Sequence, residues 1–167
     1  MAPLFSKQQP SGLKFTGWLF FVILIIALDQ ISKYYFQHTL EPYERLPVTS
    51  FFNLVLAHNT GAAFSFLAEA GGWQRWLFAG LALIVTLVIL FLLKRFNQFW
   101  LFSLSLSLIA AGALGNLIDR ATLGYVIDFI DLHAAGYHWP AFNVADIAIC
   151  AGAVGLVIDE IFGLRKR

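Results

Sequence analysis

Two aspartates, Asp128 and Asp146, are the residues of this chain best suited to carry a reaction. Asp128 lies in the apolar frame Val126-Ile127-Asp128-Phe129-Ile130, which holds a carboxylate at an interface instead of releasing it to water. Asp146 lies near one end of an apolar run, from about Ala141 to Phe162. Two carboxylates brought close together cannot both ionise easily, so one pKa rises and the pair shares a proton. That is the starting state for hydrolysis by an aspartic dyad. One carboxylate takes a proton from water as it attacks a carbonyl; the other, protonated, donates to the developing oxyanion and later to the leaving amine. Spacing alone leaves other readings open, because two such acids would equally serve as solvated groups or as partners of Arg120 and Lys33.

Other chemistries have less support. His38, His58, His133 and His138 are scattered without H-E-x-x-H spacing, which disfavours a metalloprotease. No serine stands in a G-x-S-x-G elbow. The single Cys150 has no thiol partner in the chain and is read as a packing residue. Asp131 is read as an exposed interfacial residue. The dyad chemistry requires neither a metal nor a cofactor.

The elements that must position these acids follow from composition. The 167 residues are 59% hydrophobic and 13% charged, against roughly 25% charged in a soluble domain. Such a chain needs lipid as solvent. Apolar runs from about Phe15 to Phe36, Trp73 to Leu93, Phe99 to Leu117 and Ala141 to Phe162 each approach the roughly 20 residues that a membrane crossing takes. The reading is a single membrane domain over residues 1–167: an all-α protein of four transmembrane helices, with a small strand-containing extracytoplasmic lobe between helices 1 and 2. The first run is read as a retained span, because it passes into Asp29, Gln30 and Lys33 where a cleavage site would need small residues. The net charge of +1, with basic residues scattered at segment ends, leaves no footprint for nucleic acid.

Those basic residues set the orientation, since Lys and Arg of short loops stay on the cytoplasmic side. Lys7 and Lys14 precede the first run, Lys94 and Arg95 separate the second from the third, and Arg165, Lys166 and Arg167 follow the fourth. Both termini are therefore placed inside, and the segments from about Gln37 to Gly72 and Ile118 to Pro140 outside. In the first of these, Val48 to Ala57 reads as strand before the Asn59-Thr60-Gly61 turn. Phe51, Phe52, Phe64 and Phe66 make this lobe apolar enough to lie on the bilayer surface.

A charge near hydrocarbon costs a few kcal/mol on insertion scales, so those that persist pair or line a polar site. Asp29 and Lys33, at i and i+4, suit a structural ion pair or a role in orienting the catalytic groups or substrate. Asn116, Asp119 and Arg120 at the outer end of the third run read as a structural network. The small residues Ala110-Ala111-Gly112-Ala113 and Gly115, with Ala148, Ala151, Gly152 and Gly155 in the fourth run, suit close packing of those two helices.

Read together, these stretches resemble the lipoprotein signal peptidase, or signal peptidase II, family of bacteria. The resemblance rests on Leu28-Asp29-Gln30-Ile31-Ser32-Lys33, on His58-Asn59-Thr60-Gly61-Ala62-Ala63-Phe64-Ser65 and on Ala113-Leu114-Gly115-Asn116-Leu117-Ile118-Asp119-Arg120. It rests also on Gly124-Tyr125-Val126-Ile127-Asp128-Phe129-Ile130-Asp131 and Pro140-Ala141-Phe142-Asn143-Val144-Ala145-Asp146. It implies that Asp128 and Asp146 are the catalytic dyad, with Asp29, Lys33, Asn59, Gly61, Asn116, Asp119, Arg120 and Asn143 as substrate-binding or supporting residues. Asn143, one turn before Asp146, is the nearest neighbour. It further implies a bacterial inner-membrane aspartic endopeptidase that cuts diacylglyceryl-modified prolipoproteins on the N-terminal side of the lipidated cysteine. The same resemblance implies binding of globomycin-type cyclic peptides, and the chain is expected to act as a monomer among membrane lipids. A proton-coupled transporter would instead place its acids near the midplane and carry internal repeats, of which none is visible. A non-catalytic assembly factor would not need two framed outer aspartates.

Overall fold

The computed structural model describes residues 12–61 and 71–163. Phe64, Phe66, Ala62, Ala63, Ser65, Lys7, Arg165, Lys166 and Arg167, on which parts of the sequence reading rest, lie outside these residues. Four helices carry the frame: α1 (Gly12–Thr39), α2 (Gln74–Phe96), α3 (Trp100–Thr122) and α4 (Val144–Ile161). Three of them, α1, α2 and α3, are long and apolar enough to cross a membrane. Their outward faces are as apolar as their inward ones: Phe20, Ile23, Leu87, Phe91 and Trp100 are all more than half exposed. A helix that is apolar all round has its exposed face matched to lipid. α4 is shorter and carries Asp146, Asp159 and Glu160 among its residues.

α3 is the central helix and packs against α1, α2 and α4. Ala110 and Ala111 are fully buried in a core with Val22, Ile89, Leu93, Phe102 and Leu106. The small residues of α3 and α4 do what their spacing predicts. A Cβ on Gly112 would collide with the Ala145 carbonyl and stand 2.7 Å from Ile149 Cγ1, so the backbones touch only because glycine is there. One turn on, a Cβ at Gly115 would come within 2.5 Å of the Asp29 carboxylate. This helix pair therefore sets how near α1's acid stands to the start of α4.

The lobe differs from its expected form. It is a four-stranded antiparallel sheet in the order β1 (Arg45–Pro47), β2 (Phe52–Asn59), β3 (Val126–Ala134) and β4 (Tyr137–His138). Only the first two strands lie between α1 and α2; the other two come from the segment between α3 and α4. The lobe is thus built from both inter-helix segments, not from the first alone. The physical reason lies in Val126-Ile127-Asp128-Phe129-Ile130, whose β-branched and aromatic residues frame Asp128 by forming the inner strand β3, beside β2. Asn59 pairs with Val126 and Ala57 with Asp128, with a register shift between Leu54 and Ala57. Phe36 at the end of α1 stacks on Phe129 with ring centroids 4.4 Å apart, which docks the sheet on the helices.

The helix α3 runs to Thr122, beyond the expected span end at Leu117, so Asp119 and Arg120 stand on its last turn. Two further corrections follow. Cys150 is exposed on α4 and is not a core packing residue. Asp131 is buried, not exposed: Asn53 Nδ2 donates to Oδ2 at 2.9 Å, His138 Nδ1 stands 2.8 Å from Oδ1, and Arg45 Nε lies 3.7 Å away. Burial pushes its carboxyl upward, but the Asn53 and His138 bonds with the charges of His138 and Arg45 outweigh it and hold Asp131 below the usual carboxylate range.

Candidate active site

Asp128 projects from β3 and Asp146 from the first turn of α4, and a single residue ties them together. Asn143 caps α4 because its side-chain oxygen accepts the Asp146 N–H at 3.0 Å, while its own N–H donates to Asp146 Oδ2 at 3.2 Å, a capping box. With its oxygen so engaged, the amide must turn its nitrogen the other way. Asn143 Nδ2 donates to Asp128 Oδ1 at 2.7 Å and lies 3.1 Å from the Ile127 carbonyl. The cap of one helix thereby grips the carboxylates of two elements.

Two more asparagines present their nitrogens to the pair for the same kind of reason. Asn59 Oδ1 accepts the Gly61 N–H at 3.0 Å, so Nδ2 faces Asp128 Oδ2 at 3.1 Å. Asn116 Oδ1 accepts from Lys33 Nζ at 2.9 Å, so Nδ2 faces Asp146 Oδ1 at 2.8 Å. Neutral amide donors orient both carboxylates without neutralising either, which leaves their mutual repulsion in place. Burial first, and then the negative charge of Asp146, push the Asp128 carboxyl up to about 7; the Asn59 and Asn143 bonds pull the other way and do not prevail. A carboxyl that is still half protonated near neutral pH is the proton donor that dyad hydrolysis needs.

Around this pair lies a second set of charges. Lys33 Nζ is 2.8 Å from Asp29 Oδ2 and 2.8 Å from Asp119 Oδ2, all of them buried. The i, i+4 pair of the sequence is therefore present and extended by a second acid from α3. Arg120 donates to the Gly61 carbonyl at 2.8 Å and its guanidinium lies over the Phe78 ring, holding the turn after β2 against α2 and α3. All ten residues singled out in the sequence thus fall in one cluster at one end of the helices. Gln30 was not among them. Its Nε2 lies 2.9 Å from Asp119 Oδ1 and 3.2 Å from Asp29 Oδ2. A neutral polar side chain retained within an apolar run is the signal that would have found it. Among the described residues, no group of three or more His, Cys, Asp or Glu is placed to hold a metal ion.

Known proteins share this chain's sequence and fold. The family described as signal peptidase (SPase) II matches residues 21–162. The chain belongs to the signal peptidase II family. It is 56% identical over 167 residues to the lipoprotein signal peptidase of Ralstonia nicotianae, covering 96% of each chain. It is 54% identical to that of Cupriavidus pinatubonensis, over 90% of this chain and 85% of the relative. A solved bacterial membrane enzyme, determined by the in meso method at 2.3 Å resolution, superposes with a TM-score of 0.78 at 28% identity, covering 87% of this chain and 88% of the other. As a member of this family the chain is a protease.

Proposed function

We propose that this member of the signal peptidase II family removes the signal peptide from diacylglyceryl-modified prolipoproteins, cutting N-terminal to the lipidated cysteine with water activated by Asp128 and Asp146. The observation that carries the reading is the bridge made by Asn143, which bonds both carboxylates at once. The ionised member of the pair takes a proton from water as the oxygen attacks the scissile carbonyl. The protonated member stabilises the oxyanion and then delivers its proton to the leaving amine. No covalent intermediate forms on the protein, and the supporting residues Asp29, Lys33, Asn59, Gly61, Asn116, Asp119, Arg120 and Asn143 act by holding donors and acceptors in place.

On this reading α4 is a fourth crossing and the whole chain acts as one membrane domain of the bacterial inner membrane. Both termini are cytoplasmic and the dyad faces outward. A substrate anchored by its acyl chains and apolar signal helix then presents its scissile bond at the surface where both aspartates lie. The protein works as a monomer among membrane lipids and is a target of globomycin-type cyclic peptides. The test supplies purified protein in detergent with a prolipoprotein bearing or lacking the diacylglyceryl group and reads products by mass. The lipidated substrate is cut before its cysteine; equal cutting of the unlipidated one would refute the substrate assignment.

A further inference from the structure

Lys33 and Gln30 join two carboxylates that do not belong to the dyad, and each of those carboxylates holds the chain just before a dyad member. Asp29 Oδ1 accepts the N–H of Ala145 at 2.9 Å, and Ala145 immediately precedes Asp146. Asp119 Oδ2 accepts the N–H of Ile127 at 3.2 Å, and Ile127 immediately precedes Asp128. Lys33 Nζ spans the two acids at 2.8 Å from each and spends its third proton on Asn116, whose nitrogen faces Asp146. Gln30 Nε2 also joins the same two carboxylates, at 3.2 Å from Asp29 Oδ2 and 2.9 Å from Asp119 Oδ1, and reaches the Gly115 carbonyl at 3.2 Å.

We propose that Gln30 and Lys33 are positioning residues that set the separation of the dyad, by fixing Asp29 to Asp119 and through them the backbone before Asp146 to the backbone before Asp128. Each grip is a hydrogen bond from backbone to a buried side chain, so moving either carboxylate would leave a buried N–H without its partner. Buried charges are stable only while paired and hydrogen-bonded, which makes the arrangement intolerant of displacement. Gly115 completes it, because a side chain there would push Asp29 away. The cluster reaches Asp146 through Asn116 and the backbone of Ala145, and Asp128 through the backbone of Ile127, so it acts on the spacing of the two acids.

This inference rests on the dyad reading above, and the experiment separates the two. Lys33→Met and Gln30→Leu are prepared in the full chain in detergent and assayed on a diacylglyceryl-prolipoprotein. Misplacing reacting groups by about 1 Å costs roughly 100-fold, so kcat falls by about that factor in Lys33→Met and by about tenfold in Gln30→Leu, with KM within about threefold of the parent. In Lys33→Met the alkaline limb of the kcat profile also moves to higher pH, since the Lys33 charge that favours the ionised form of Asp128 is gone. Gln30→Leu removes no charge and reports on the proposal even if Lys33→Met does not fold. Parental kcat in Gln30→Leu, an effect on KM alone, or loss of its cooperative melting would each overturn the proposal. Activity retained in Asp128→Asn would instead remove the dyad reading itself.

Discussion

Asn143 Nδ2 donates to Asp128 Oδ1 at 2.7 Å from the cap position of the helix that bears Asp146. Capping of α4 and orientation of the proposed dyad are therefore one event: the same amide that ends the loop orients the acid on the sheet. Replacing Asn143 by Ala removes an N-cap worth about 1 kcal/mol and the Asp128 bond together. The expected result is a modest fall in thermal midpoint but a drop in kcat of roughly 100-fold, the larger effect reporting lost orientation. Asn143→Ser, which keeps a cap acceptor but cannot reach Asp128, should recover the midpoint and not the rate. Equal recovery of both would assign the lost rate to the cap and contradict a role for the Asp128 bond.

The raised Asp128 carboxyl ties stability to pH. The unfolded chain releases this proton near 3.8 and the folded chain near 7, so between these values the folded state binds more protons and loses stability as pH rises. Its contribution is fully present below 3.8 and gone above about 7. Melting curves in detergent across this window should therefore decline more steeply for the parent than for Asp128→Asn. Activity should fall on the alkaline side with an apparent pKa near 7, a value that belongs to the pair. Parallel melting curves for parent and variant would contradict this.

Asp131 behaves in the opposite sense. Its carboxyl is depressed by Asn53, His138 and Arg45, so its contribution is present above the ordinary carboxylate range and is lost as pH falls through the folded value. Asp131→Asn should lower the thermal midpoint at neutral pH and lose less of it on acidification than the parent. Its kcat should stay within about threefold, because Asp131 serves the sheet and the chemistry needs no contact from it.

Glycine substitutions on the helices should divide sharply. Gly112→Ala drives a methyl into the Ala145 carbonyl and separates α3 from the start of α4, where Asp146 stands. Overpacking of this kind costs about 1–3 kcal/mol, and activity should fall further than stability. Gly17→Ala on α1 meets nothing within 4 Å and serves as the neutral comparison. Similar outcomes for the two, by melting and by turnover, would undo the packing argument.

Much of this site is visible in the order of residues because membrane burial makes polar residues conspicuous. Asp29 and Lys33 within an apolar run, and Asp128 within its apolar frame, stand out for that reason. The i, i+4 spacing of Asp29 and Lys33, and the single turn from Asn143 to Asp146, carry over directly into bonds. What was not visible depends on contacts between segments distant in sequence. The pairing of β2 with β3 makes one lobe of two segments distant in sequence, and it brings Asn53 opposite Asp131 to bury an acid that looks solvent-facing in isolation. Gln30 gains its place from Asp119, a residue on another helix. The helix ends shifted by a few residues because apolarity marks a bilayer's thickness, whereas the hydrogen-bonded helix of α3 continues to Thr122.

The central claim is that Asp128 and Asp146 together activate water. The most direct measurement is cleavage of a diacylglyceryl-prolipoprotein, read by mass, by purified parent, Asp128→Asn and Asp146→Asn proteins that retain cooperative melting in detergent. Each variant should be inactive, and the double variant should be no worse than either single, because residues that act as a unit are not additive. Cleavage at the parental rate by either folded single variant would contradict the account.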